Sequence, residues 1–335
     1  MASLSHLQLR AKTLFPGLLL ALTIAAAAKF LSEHYAAPVM LFALLIGMAF
    51  NFMAEQENTG EGVVFASKSL LRLGIVLLGA RITLGDIAGI GTSGLLTVAS
   101  LMALTIGFGF VCAKLFSRGW RFAILTGGAV AICGASAALA LAAVIPANDK
   151  TERNVLFTVV AVTTLSTIAM IIYPVLFGLA GLSDAQSGFL IGATVHDVAQ
   201  VVGAGYSIST EAGDTATIVK LLRVTLLPVV LIIVALSVAG RESGGFSHVR
   251  LPLFVIGFGL VTIANSTGLI PAALAALLVD ASSWLLVIAI AALGVRTNMK
   301  AMLNLGWRHV AVIVAETLFL LGLAWAAVSI GIVGI

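Results

Sequence analysis

The stretch GATVHDVAQVVGAG, Gly192–Gly205, lies in the middle of a long apolar segment and yet carries His196, Asp197 and Gln200. Whether this stretch sits in hydrocarbon or in the core of a soluble domain decides the fold. Of 335 residues, 61% are hydrophobic and 10% are charged, against about 25% charged in an ordinary soluble domain. Apolar runs of about 20 residues, enough for a helix to cross about 30 Å of hydrocarbon, recur from one end of the chain to the other. The expected fold is therefore an all-α polytopic membrane protein. About eleven transmembrane helices are expected, near 14–31, 37–54, 63–82, 93–116, 121–146, 154–180, 186–208, 214–239, 251–266, 269–296 and 307–332. Segments of this length satisfy their backbone groups internally and lack the period-2 alternation of barrel strands. No soluble domain is left over, so residues 1–335 read as a single transmembrane domain.

Basic residues set the expected orientation. Arg10 and Lys12 precede the first span; Lys114, Arg118 and Arg121 lie between the fourth and fifth; Arg241 and Arg250 between the eighth and ninth; Arg296, Lys300 and Arg308 between the tenth and eleventh. Eleven crossings put all four clusters on one side, the cytoplasm by the positive-inside rule, with the N-terminus inside and the C-terminus outside. The net charge of +4 then reflects topology. No basic face is interleaved with aromatics, which argues against nucleic-acid binding. RAKTLFPGLLLALTIAAAAKF, Arg10–Phe30, has the look of a signal peptide but is expected to be retained as the first helix. Cys112 and Cys133, the only cysteines, fall inside expected spans, and no Cys or His cluster has metal-ligand spacing. No disulfide, metal or cofactor is expected.

Residues 77–91, LLGARITLGDIAGIG, and 292–306, ALGVRTNMKAMLNLG, share Leu78/Leu293, Gly79/Gly294, Arg81/Arg296 and Gly91/Gly306. The two copies run in opposite directions across the membrane in this topology, the pattern of an inverted repeat with halves near 14–146 and 186–332. The alternative is that Arg81 and Arg296 are basic helix ends snorkelling to the interface.

The segment that opened the question has its centre near Val198, so His196, Asp197 and Gln200 fall at mid-membrane, where a charge costs at least about 2.5 kcal/mol on insertion scales. His196 and Gln200 share a helix face with Gly192 and Gly203. One reading makes them interhelical hydrogen-bond glue. The next segment, DTATIVKLLRVTLLP (214–228), argues for function by adding Lys220 and Arg223 at similar depth if the pair forms a hairpin turning near Thr210. Asp197 is then the nearest partner for Arg223, and the cluster keeps a net positive charge suited to an anion. The fifth span, ILTGGAVAICGASAALALAAVIP (124–146), has Cys133, Gly134, Ala135 and Ser136 at its middle. A helix interrupted there presents free N–H groups to an anion; an unbroken one would use small residues for packing and bond Ser136 back to its own turn. Arg72, Asp280 and Glu316 have no companion at a diagnostic spacing. No phosphate loop, metalloprotease motif or nucleophile–base set points to an enzyme.

LLRLGIVLLGARITLGDI (70–87), AICGASAALALAAVIPANDKTE (131–152), GATVHDVAQVVGAG and TIVKLLRVTLLPVV (217–230) together resemble the YeiH-type, UPF0324-like family of inner-membrane proteins, for which sulfate export is a proposal linked to sulfonate breakdown. The resemblance implies an inner-membrane transporter with a core domain of crossing, broken helices and a second, panel domain. Its segments fall on Cys133, Gly134, Ala135, Ser136, His196, Asp197, Gln200, Lys220 and Arg223. The expected function is a secondary transporter of a small inorganic or organic anion, sulfate or an organosulfonate-derived one, by alternating access. His196/Asp197 would supply proton coupling or pairing, with a proton or Na+ as coupling ion. A cation/proton antiporter built on Asp197 and an anion channel are the alternatives. The lipid bilayer is the implied surrounding, and nothing in the sequence speaks against a homo-oligomer.

Overall fold

The computed structural model describes residues 2–35, 38–54, 56–146, 148–238, 253–297 and 307–333. All regular structure among them is helical: α1 (Ala2–Tyr35), α2 (Val39–Ala49), α3 (Glu57–Phe65), α4 (Leu71–Leu78), α5 (Leu84–Gly89), α6 (Gly91–Leu115), α7 (Trp120–Ala131), α8 (Ala135–Val144), α9 (Thr151–Leu179), α10 (Asp184–Thr194), α11 (Val198–Ile208), α12 (Thr210–Val238), α13 (Leu253–Ser266), α14 (Ala272–Arg296) and α15 (Trp307–Ser329). Six stretches are long and apolar enough to cross a membrane alone: Lys12–Tyr35, Gly91–Leu115, Thr151–Leu179, Thr210–Ser237, Ala272–Arg296 and Arg308–Ser329. α2, α8, α11 and α13 are apolar but shorter. Arg241, Arg250 and Lys300 lie outside the described residues, as does 298–306 of the 292–306 repeat copy.

Contacts divide the chain into two compact units, Met1–Leu84 with Ile256–Asn298, and Gly85–Val255 with Met299–Ile335. In the first, α14 packs on α2 and α4. Ser282 donates to the Gly74 carbonyl (2.6 Å) and Asn51 to the Val295 carbonyl (2.7 Å), so two polar side chains in an apolar bundle are spent on backbone. Arg296 donates to Ser67 at 2.9 Å. Ser67 sits in a π-helical turn, Ala66–Leu70, between α3 and α4.

The second unit combines four long helices, α6, α9, α12 and α15, with two interrupted ones, α7–α8 and α10–α11. The sequence reading treated 186–208 as one continuous span, but its helix stops at Thr194 and restarts at Val198. The segment 121–146 breaks likewise, between Ala131 and Ala135. The half-helices are 10–12 residues long, roughly 15–18 Å at 1.5 Å per residue, about half of a hydrocarbon core. Residues 122–131 of α7, 187–194 of α10 and 198–205 of α11 are all buried. Helices apolar and buried all round belong in a core rather than on a face.

Candidate functional site at two helix breaks

Each break has a local cause. At Gly134 the backbone takes φ 59° and ψ −122°, a region open in practice to glycine alone. At the second break Val195 and Asp197 are extended, with ψ 136° and 145°, and Asp197 stands where helix N-caps favour aspartate. The breaks touch: a Cβ on Gly134 would lie 3.4 Å from the His196 Cβ and 3.5 Å from its carbonyl oxygen.

A helix end leaves its last carbonyls without donors, and here two such ends meet inside a buried core. Lys220 and Arg223 of α12, 0% and 1% exposed, supply the missing donors. The Lys220 ammonium donates to the carbonyls of Ile132 (2.8 Å), Val195 (2.9 Å) and His196 (2.5 Å), using all three of its hydrogens. The Arg223 guanidinium donates from Nε to Ala131 (2.9 Å), from Nη2 to Val130 (2.8 Å), and from Nη1 to Gly192 (2.9 Å) and Val195 (3.2 Å). Hydrogen bonds to charged groups contribute about 1.5–3 kcal/mol each, and a cation at a helix C-terminus also favours the dipole. One helix face thus closes the C-terminal ends of both α7 and α10. α12 can come this close because Gly192 faces it: a Cβ there would lie 2.5 Å from the Ala216 carbonyl and 2.7 Å from the Val219 Cβ.

The N-terminal ends are treated differently. Neither α8 nor α11 donates a backbone N–H to an N-cap side chain, whereas α10 begins with a complete capping box of Ser183 and Gln186. The first helical bonds run from Ala138 to Gly134 and from Val201 to Asp197. The amides of Ala135, Ser136 and Ala137, and of Val198, Ala199 and Gln200, precede those bonds. Ser136 is exposed and Asp197 half-buried, whereas Ala137, Val198, Ala199 and Gln200 are buried.

Threonines orient the remaining polar side chains. Thr317 of α15 donates to the Ile313 carbonyl (2.7 Å) and so accepts from His196 Nε2 at 2.9 Å. Nε2 is then the donor in this bond, and Nδ1 makes no hydrogen bond of normal geometry among the described residues. Thr167 of α9 donates to Thr163 (3.0 Å) and accepts from Gln200 Nε2 (3.3 Å), leaving Gln200 Oε1 without a partner. Ser166 accepts the Asp197 amide at 3.1 Å.

All nine residues singled out in the sequence therefore lie at the two breaks or against them. Two expectations change. The hydrogen bonds of Arg223 run to backbone carbonyls, where the sequence pointed to Asp197, and Lys220 reaches the carbonyls of Val195 and His196 between the half-helices, where equal depth counted from Thr210 along two continuous helices would set it level with Gln200. Counting equal depths from Thr210 assumed two continuous helices, and α10–α11 is not continuous. The Ser136 hydroxyl turns back to the Cys133 carbonyl (3.0 Å) and sulfur (2.7 Å), so side-chain bonding to its own turn and a broken helix coexist. Ser166, Thr167 and Thr317 do not stand out in the sequence, because a serine or threonine hydroxyl in a helix looks alike whether or not it accepts a bond from another segment.

Residues 16–313 match the family described as conserved hypothetical protein 698. The chain is similar to the UPF0324 membrane protein TauZ of Paracoccus denitrificans, 51% identical over 311 residues, 91% of this chain and 92% of that protein. Another UPF0324 membrane protein, from Chlorobaculum tepidum, is 51% identical over 310 residues, 91% of this chain and 87% of that one. The UPF0324 inner membrane protein YeiH of Escherichia coli (strain K12) is 37% identical over 279 residues, 80% of this chain and 78% of that one. No solved structure matches.

Proposed function

The chain belongs to the UPF0324 family of membrane proteins, and from that premise we propose that it is a secondary transporter of a small oxyanion, sulfate or an organosulfonate-derived anion, working by alternating access rather than an enzyme. The observation that carries this reading is the division of labour at the breaks. Two buried cations satisfy the C-terminal carbonyls, while the N-terminal amides of α8 and α11 have no side-chain cap. Helix N-termini of this kind hold anions through N–H groups and the dipole, and interrupted helices are a recurring substrate site in transporters. Lys220 and Arg223 keep the surroundings positive without being used up by the ligand. Cys133, Gly134, Ala135, Ser136, His196, Asp197 and Gln200 would line the site.

The test is counterflow in proteoliposomes loaded with sulfate, sulfite, thiosulfate or short sulfonates. Saturable exchange of at least one of these is expected, and non-saturating flux would mean a channel. Val198→Pro removes one N–H at the first position of α11, where proline fits a helix and the extended Asp197 before it suits proline. It should raise the half-saturating anion concentration about tenfold or more, since one such bond contributes about 1.5 kcal/mol or more. An unchanged value would remove the α11 amides from the site.

One observation favours a second reading. Gln200 Oε1 is a buried acceptor without a partner, and with the Asp197 carboxylate nearby in sequence it suits a cation, as in a cation/proton antiporter. Exchange of labelled Na+ with no anion counterflow would select that reading. The finer topology, eleven crossings with a cytoplasmic N-terminus in the inner membrane and 77–91 inverted relative to 292–306, is part of the same proposal. Reporters fused after Arg118 and at Ile335 should fall on opposite sides; the same side for both would remove a crossing.

A further inference from the structure

The transport reading uses α15 only through Thr317, yet the residue before it is the most deeply buried acid described. Glu316 is 0% exposed. Its carboxyl occupies a slot that α6 leaves open at Gly109, where a Cβ would lie 3.1 Å from Oε1. Thr126 of α7 lies 2.8 Å from Oε1, and Oε2 has no partner. Among the described residues no lysine or arginine lies in an ion pair with it. Of the elements packed on this part of α15, α6 faces it with Cys112 and α7 with the neutral Thr126. The buried stretch of α10, Ser187–Thr194, carries no titratable residue. α9 brings Tyr173, which packs on Phe177 beside Trp325, more than two turns along α15. On α15 itself His309 is about two turns away, bonded to Asn154 and Arg118.

A structural carboxylate in such a place normally has a cation or several donors. This one has a single hydroxyl that works in either direction. Thr126 also lies 3.1 Å from the Phe122 carbonyl, which can only accept. A hydroxyl has one hydrogen. When that hydrogen goes to Phe122, Glu316 must be the donor and carries a proton; when the proton leaves to water, the Thr126 hydrogen turns to Oε1. Both protonation states are accommodated by one bond rotation, at the half-helix whose end Arg223 holds one turn further on, at Val130 and Ala131. The next residue, Thr317, accepts from His196 at the other break. Glu316 and Thr317, consecutive on α15, thus touch the half-helix that runs into the first break and the imidazole of the second.

Resting on the transporter reading, we propose that Glu316 is a proton-binding site, separate from the substrate site, whose protonation couples proton movement to substrate movement at the two breaks. The test compares wild type, Glu316→Gln and Thr126→Val in proteoliposomes with radiolabelled sulfate, alongside infrared difference spectra between acid and alkaline pH. Wild type should show a protonated-carboxyl band that titrates and is lost in Glu316→Gln. In that variant sulfate counterflow should stay within about twofold of wild type, while accumulation driven by a proton gradient falls by about tenfold or more. Thr126→Val should retain the band and change its pH midpoint. Gradient-driven accumulation that persists in Glu316→Gln, loss of counterflow to the same extent as accumulation, or a band midpoint indifferent to Thr126→Val overturns the proposal. Should wild type move no sulfate, the sulfate reading fails by itself, and the infrared band alone decides: its loss in Glu316→Gln supports the proton site, and a band unchanged by the substitution overturns it.

Discussion

At 132–134 the chain leaves its helix through a backbone conformation, with an aliphatic residue, a thiol and a glycine; at 195–197 it does so with an imidazole and a carboxylate. Both ends deliver carbonyls to the same Lys220 and Arg223, and both restart in helices without a side-chain cap. The likeness is therefore in the peptide groups and the difference in the side chains. Holding two helix ends together needs only carbonyls and cations. Responding to pH needs titratable groups, and the carboxyl and imidazole groups here are His196 and Asp197 at the second break and Glu316 of α15, which meets Thr126 on the half-helix entering the first.

The largest expected effect removes what the breaks share. Arg223→Ala strands carbonyls at both ends and should lower the yield of folded protein from membranes sharply, since deleting one partner of a buried charged interaction costs about 3–5 kcal/mol. Recovery by size-exclusion chromatography in mild detergent measures it. Combining Arg223→Leu with Asp197→Leu should not restore the yield, because the lost bonds ran to Val130, Ala131, Gly192 and Val195. A well-recovered double variant would instead show that the carboxylate is what Arg223 serves.

An intermediate effect is expected at the first break alone. Gly134→Ala places a Cβ at φ 59°, a strain of about 1–3 kcal/mol, with neighbours no closer than 3.4 Å. A lowered thermal midpoint with transport retained is the expected pair of readings. An unchanged midpoint would mean that the backbone there relaxes. Ser136→Ala should do least, under about 1 kcal/mol and with little change in anion affinity, because its hydroxyl is turned back onto Cys133. A large loss of affinity would show that the hydroxyl swings out to the ligand.

The helical segments and the polar cluster were legible in the sequence for a physical reason: apolar run length and the cost of mid-membrane charge are properties of composition. The partners of the cluster were not. Every residue has a carbonyl, so no pattern marks Val130 or Gly192 as the acceptors for Arg223. The break at Val195–Asp197 was hidden because valine, histidine and aspartate differ little in helix propensity from their neighbours. The possibility of a break at Gly134 was legible because glycine is costly inside a helix and cheap at positive φ. Glu316 looked like an isolated acid on a helix, and its meaning depends on Thr126, which is 190 residues away.

The uncapped starts of α8 and α11 also bear on how such a protein can change over generations. Peptide N–H groups are common to every amino acid except proline, so recognition built on them survives almost any point substitution at Ala135–Ala137 or Val198–Gln200. If these amides hold an anion as proposed, two descendants of one ancestor can diverge widely in the letters around this site while retaining the same N–H groups. What they take up would then be altered chiefly by the shape and lining of the space in front of the amides.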